Sequence, residues 1–247
     1  MSNSCIRWLE NNDLPSPIFV LDLSEVKRNF NRLKNLYTDI NIYYAVKANP
    51  NIKIIELLND LGSSFDCASI EEIKICIDNN VLPAKISYGS TLKKEIDIEK
   101  SFKLGVRFFA FDTFEELEKI SRKAPGANVF CRLMVPNGGS EWPLSKKFGC
   151  NYKLAEKLLT QAKGMMLNPI GVSFHVGSQQ MSQITWNKSI TIAAKVFRSL
   201  AQKNIILNFL NLGGGMPANY KKKVKKNKSY SSNILKSIKR NFGNLIP

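Results

Sequence analysis

The chain has 247 residues, 44% of them hydrophobic and 10% aromatic, which is enough apolar side chain for one large or two small packed domains. Its formal charge of +16 suggests a nucleic-acid binder until it is divided along the chain: residues 216–247 hold nine Lys or Arg and no acid, leaving +7 for the first 215. No run of about 18 apolar residues occurs, and Glu10 and Asp13 stand where a signal peptide would place its apolar stretch, so a soluble cytoplasmic chain is expected.

The first 23 residues are expected to form a separate amino-terminal segment, with the main domain over 24–247. The stretch SEVKRNFNRLKNLY (24–37) puts Val26, Phe30, Leu33 and Tyr37 on one face and offers Ser24 as an N-cap, so a helix is predicted there. Short apolar runs then alternate with amphipathic stretches. The runs INIYYAVKA (40–48), SSFDCAS (63–69), AKISYGS (84–90), VRFFAFD (106–112), ANVFCRLMV (127–135), PIGVSFHVG (169–177) and LNFLNLGGG (207–215) read as strands. Their first five starts are 21 to 23 residues apart, long enough for a strand, a crossover helix and two loops. Helices are predicted between them over 51–62, 69–80, 113–124, 152–165 and 190–203, each with one apolar stripe.

Equal β-α steps of this kind predict an α/β fold, a (β/α)₈ TIM-type barrel. Only seven strands are found, so the barrel is expected to be incomplete unless residues 14–23 (LPSPIFVLDL) supply another strand.

The five cysteines are odd in number and widely spread, with no C-x-x-C pair and a single histidine to join them. This argues against a disulfide framework or a zinc site and for buried free thiols. The cluster YKKKVKKNK (220–228) could track phosphates, but it has little aromatic interleaving, and nucleic-acid binding is not expected.

Barrel enzymes place reactive groups at the carboxyl ends of strands, which singles out Lys47, Asp66, Tyr88, Arg132, His175, Ser178 and the glycines 213–215. A lysine buried in YYAVKANP would favour its uncharged amine, a nucleophile toward an aldehyde; it could equally snorkel to solvent. Gly213, Gly214 and Gly215 allow backbone amides to approach an anion, or serve only as a turn. His175 can be a satisfied core histidine or stack on a bound ring, with Ser178 offering a hydroxyl to an anion.

The strings YYAVKANP (43–50), FDCAS (65–69), ISYGSTLKK (86–94), PLSKKFG (143–149), SFHVGSQQ (173–180) and NLGGGMP (211–217) resemble, in order and over nearly the whole chain, the fold-type III pyridoxal-phosphate enzymes. Within them the likeness is to the ornithine/diaminopimelate/arginine decarboxylase family, with FDCAS and LSKKFG leaning toward ornithine and lysine/ornithine decarboxylases. The resemblance implies that Lys47 carries pyridoxal 5'-phosphate, that His175 stacks on its ring, and that Ser178 with Gly213, Gly214 and Gly215 holds the phosphate. It implies that Arg132 lies near the ring and that Asp66 lines the site, with Lys47 and His175 as the catalytic pair.

The implied reaction is decarboxylation of a small-molecule basic amino acid, ornithine to putrescine or lysine to cadaverine, in polyamine biosynthesis by a homodimer. The family's E-P-G-R strand, its substrate-contacting Asp, its Cys proton donor, a phosphate-binding Tyr and its carboxyl-terminal β-domain have no counterpart here. Weak or absent turnover is therefore expected of the separate chain. Residues 1–23 would be the first strand of that β-domain. Alternatives are a noncatalytic cofactor-binding protein, a decoy partner of an intact decarboxylase and, more distantly, an alanine-racemase-like enzyme.

Overall fold

The computed structural model describes residues 3–142, 147–218 and 227–243, with side chains from residue 5 and, in the last segment, from residue 230. Seven parallel strands pair strictly in chain order: β1 Tyr43–Ala45, β2 Ser64–Cys67, β3 Ile86–Tyr88, β4 Phe108–Phe111, β5 Asn128–Leu133, β6 Asn168–Phe174 and β7 Phe209–Asn211. Each is shorter than its predicted run and lies inside it, except that β6 begins one residue earlier, at Asn168. No ladder joins β1 to β7, so the sheet curls without closing.

Nine α-helices are described: α1 Asn3–Glu10, α2 Leu23–Leu36, α3 Ile52–Asp60, α4 Ile70–Asp78, α5 Glu95–Lys103, α6 Phe114–Lys123, α7 Tyr152–Gly164, α8 Gln183–Ala201 and α9 Asn227–Phe242. Polar caps start most of the crossover helices: Asn51, Ser69, Thr113, Asn151 and Ser182 each accept a backbone N–H from the following turn. At α2 the cap is Asp22 rather than the expected Ser24, and its carboxylate accepts from Ser24 N and Glu25 N. Helix α8 begins seven residues before its prediction because Ser182 caps it there, and Trp186 buries the added turn. The predictions lacked α5, a nine-residue helix with Ile98 as its one buried large apolar residue. They also lacked α1 and α9.

Residues 14–22 form no strand, and the amino-terminal segment contributes a helix instead of sheet pairing. An extended segment needs a ladder partner, and none of the described residues offers one to 14–22. The lysine cluster 220–228 lies largely outside the described residues. All five cysteines are buried, and none is joined in a disulfide among the described residues. No described helix is long and apolar enough to cross a membrane.

Strand alternation sorts side chains between two cores. Phe65, Cys67, Tyr88, Phe109, Phe111 and Leu133 point outward into the layer beneath the helices. The in-register partners Ala45, Asp66 and Ser87 point the other way, as do Phe108, Phe130, Arg132, Ser173 and Phe209. The inner cluster is aromatic: Phe209 packs against Phe108 at 6.0 Å and Phe130 at 5.1 Å between ring centroids. Bulk fills the barrel's middle and leaves the polar inward residues at its carboxyl end.

Candidate cofactor site

Asp66, on β2, and Arg132, on β5, are the last inward-facing side chains of their strands. Burial pushes the Asp66 carboxyl up to about 6, opposed by the positive charges of Lys47 and then Arg132, with Glu72 adding to the rise. A side chain at Gly89 would strike Asp66, its Cβ falling 2.0 Å from Oδ1, so the chain just past β3 meets the carboxylate only as bare backbone. Burial also lowers the Arg132 pKa, while Asp112 and then Asp66 support its charge.

His175 follows β6 directly. Its Nδ1 accepts the Gly177 N–H at 3.0 Å, which assigns the neutral ring's proton to Nε2. Burial, followed by the charges of Arg132 and Lys47, lowers its pKa to about 4, so the imidazole is neutral at pH 7. Lys47, Asp66, Arg132 and His175 therefore act on one another electrostatically at the carboxyl end of the sheet.

Of the two alternatives its sequence context left open, Lys47 takes the exposed one. The strand stops at Ala45, and Val46–Ala48 form a single 3₁₀ turn that buries Val46 and leaves Lys47 exposed. The argument for activating this amine by burial does not apply to it. Tyr88 is a correction: Ser87 takes the inward register opposite Asp66, so Tyr88 turns into the helix layer and packs on Phe109 and Lys93.

The loops after β6 and β7 are pressed together. Added Cβ atoms at Gly213 and Gly215 would fall 2.1 Å from Phe174 O and 2.2 Å from Gly177 O, and both residues have positive φ, +66° and +107°. Gln180 N–H donates to Gly215 O at 2.8 Å. These two glycines serve backbone-to-backbone packing first. Gly214 faces the ring of His175, whose Nε2 lies 3.0 Å from where a Cβ would stand. Ser178 joins the same rim through an antiparallel bridge to Trp142.

Asp112, which sequence reasoning passed over, ends the run FFAFD just beyond β4 and accepts the Gly149 N–H at 2.7 Å. A polar residue at a strand's carboxyl end was the available signal. Phe148 beside that glycine carries the Arg132 guanidinium 5.1 Å from its ring centroid.

The pyridoxal-binding domain of the pyridoxal-dependent decarboxylases matches residues 23–246. The chain belongs to that family. It is 35% identical over 207 residues to antizyme inhibitor 2 of Xenopus laevis, covering 84% of this chain and 45% of that protein. It is 32% identical over 204 residues to the lysine/ornithine decarboxylase of Selenomonas ruminantium, covering 83% and 52%. The crystal structure of the lysine decarboxylase from Selenomonas ruminantium superposes with a TM-score of 0.90 at 30% identity, over 98% of this chain and 64% of that one. The chain thus spans about half the length of the curated relatives it matches.

The family's cofactor is pyridoxal phosphate, and the residues present fit it. An exposed primary amine, a neutral imidazole and a guanidinium converge beside a carboxylate, and the bare backbone of Gly214 leaves one side of the His175 ring uncovered by any side chain at that position.

Proposed function

We propose that this chain carries the cofactor site of a decarboxylase acting on a basic amino acid, with Lys47 as the residue that holds pyridoxal phosphate. The observation that carries the reading is the convergence of Lys47, Asp66, Arg132 and His175 at one end of the sheet. Ornithine or lysine is the substrate the reading favours, with putrescine or cadaverine as product, supported by the likeness to a lysine/ornithine decarboxylase. Ser178 and the Gly213–Gly215 loop would hold the phosphate, and a homodimer is the expected assembly of the whole protein.

When bound, pyridoxal phosphate supplies an aldehyde carbon for amines and a ring that accepts the electron pair left by a departing carboxylate. Lys47 offers the amine. His175 is held by Gly177 N–H and uncharged at neutral pH, so it can lie against an aromatic ring without adding a positive charge beside it. Asp66, ionised at neutral pH yet within reach of protonation, can bind a substrate ammonium or take up a proton at its carboxylate. Arg132 contributes a fixed positive charge to the same space.

A second reading is a chain that binds the cofactor or an intact decarboxylase without turnover. The likeness to antizyme inhibitor 2, a relative named for an interaction, supports it.

The test is to mix the purified chain with pyridoxal phosphate, follow visible absorption, reduce with borohydride and map the adduct by peptide mass spectrometry. An adduct on Lys47 that disappears in Lys47→Ala is expected; an adduct confined to another lysine overturns the assignment. Carbon dioxide release from ornithine and lysine then separates the two readings.

A further inference from the structure

Asp112 is a carboxylate at the carboxyl end of β4 that acts in two directions, by a hydrogen bond and by its charge. It accepts the Gly149 N–H at 2.7 Å, and it is the foremost negative charge supporting the Arg132 cation against burial. Gly149 has φ +94°, and an added Cβ would fall 2.8 Å from Leu133 C and Met134 N, so its turn lies tight against the end of β5. Cys150, next along, closes on the same strand: its N–H donates to Arg132 O at 3.0 Å, and Met134 N–H donates to Cys150 O at 2.8 Å. Phe148, on the other side of Gly149, lies against the guanidinium at 5.1 Å.

Among the described residues no hydrogen bond or contact ion pair engages that guanidinium. Its place therefore depends on the Phe148 ring and on the charges of Asp112 and Asp66. Both supports on the β4 side run through one carboxylate.

We propose that Asp112 is a positioning residue of the site: it pins the Phe148–Gly149 turn, and through that turn together with its own negative charge it keeps the Arg132 guanidinium in place within the site. The proposal rests on the reading of Arg132 and His175 as site residues, and it deepens that reading. Arg132 and Lys47 are the charges that bear on His175, so the single histidine of the chain reports where Arg132 stands.

The experiment uses cofactor-free protein, so its outcome is independent of the Lys47 adduct. Asp112→Asn keeps an acceptor for Gly149 N–H and removes the charge; Asp112→Ala removes both; Arg132→Met removes the cation. The Gly149 amide is expected to exchange with solvent about 10-fold faster in Asp112→Ala and near the parent rate in Asp112→Asn, the loss of one charge-assisted hydrogen bond.

The titration midpoint of His175, followed by NMR, is expected to rise in Asp112→Ala and Asp112→Asn by at least about half the rise seen in Arg132→Met, as the guanidinium drifts from the ring. Removing a negative charge with no movement of Arg132 would leave the midpoint unchanged or lower it. Either of those results, or an unaltered Gly149 exchange rate in Asp112→Ala, overturns the proposal. Should Asp112→Ala fail to fold, the His175 midpoint in Asp112→Asn decides alone.

Discussion

The ring of Tyr43 on the first strand meets the ring of Phe209 on the last edge-on, at 6.4 Å between centroids and 84° between planes. No backbone pairing joins those strands, so this ring contact is what links the two edges of the open sheet through its inner aromatic residues. Phe209 also touches Phe108 and Phe130, from β4 and β5. Phe209→Ala should therefore lower stability by about 3 kcal/mol, with Tyr43→Ala costing less because Tyr43 makes one of these ring contacts. Urea unfolding midpoints measure both; equal effects would mean the cluster does not centre on Phe209.

The glycines after β7 separate backbone packing from ring contact. Gly213→Ala and Gly215→Ala each place a methyl about 2 Å from a carbonyl oxygen at positive φ, so both should lose several kcal/mol or fail to fold. Gly214→Ala has ordinary φ and meets only the His175 ring at 3.0 Å. It should fold with a thermal midpoint near the parent's while shifting the His175 NMR signals and weakening pyridoxal phosphate binding. A Gly214→Ala protein with unperturbed His175 signals would refute this division of labour.

How far the sequence reached is decided by the kind of signal each element carries. All seven strands were legible because parallel strands covered by helices are short apolar runs between turn residues, but their ends were not, since residues such as Val46 and Val135 are buried without being in the ladder. Helix α5 was hidden by its composition. Five of its nine residues are charged, and its signature is the acidic first turn and basic last turn rather than an apolar stripe. Among the candidate site residues, Asp66, Arg132 and His175 were readable as polar groups at strand ends. Strand-end position alone could not tell Tyr88, which faces outward, from Ser87, which faces inward, because the register that sets the parity comes from pairing with β2. For Lys47 the sequence left burial and exposure both open, and the 3₁₀ turn after Ala45, which leaves it exposed, carries no clear sequence mark.

Asp66 and His175 pull stability in opposite directions as pH changes. His175 has its pKa lowered to about 4, so from there to its ordinary value near 6.5 the unfolded chain binds more protons and stability rises with pH. Asp66 has its pKa raised to about 6 from 3.8, so across that window the folded chain binds more protons and stability falls with rising pH. Between about pH 4 and 6 the two offset each other. Relative to the parent, Asp66→Asn should gain a steeper rise of thermal midpoint with pH over that range, and His175→Asn should lose one. The parent-minus-variant difference isolates each group from the exposed carboxylates; matching slopes in all three proteins would contradict the opposed shifts.

The buried Lys93–Glu116 pair should respond asymmetrically to the loss of either partner. Lys93 Nζ sits 2.8 Å from Glu116 Oε1, with side-chain exposures of 0% and 2%, and donates to Ser90 O at 2.9 Å and Ala110 O at 2.6 Å. Glu116 has a second cation, Lys119, at 2.5 Å. Removing Glu116 strands the Lys93 ammonium in a desolvated place with only two carbonyls, so Glu116→Ala should cost ~3–5 kcal/mol. Lys93→Met keeps the bulk and leaves Glu116 paired with Lys119, so its cost is confined to two unmet carbonyls, ~1–3 kcal/mol. Burial already holds Lys93 down to about 8, and the first force opposing it is Glu116. Without Glu116 the amine should shed its proton at lower pH, so the penalty in Glu116→Ala should shrink as pH rises toward 8, whereas that of Lys93→Met should not. Urea unfolding of the two variants at pH 6 and pH 8 reads the difference, and a penalty in Glu116→Ala that stays constant would mean Lys93 finds another partner when Glu116 is gone.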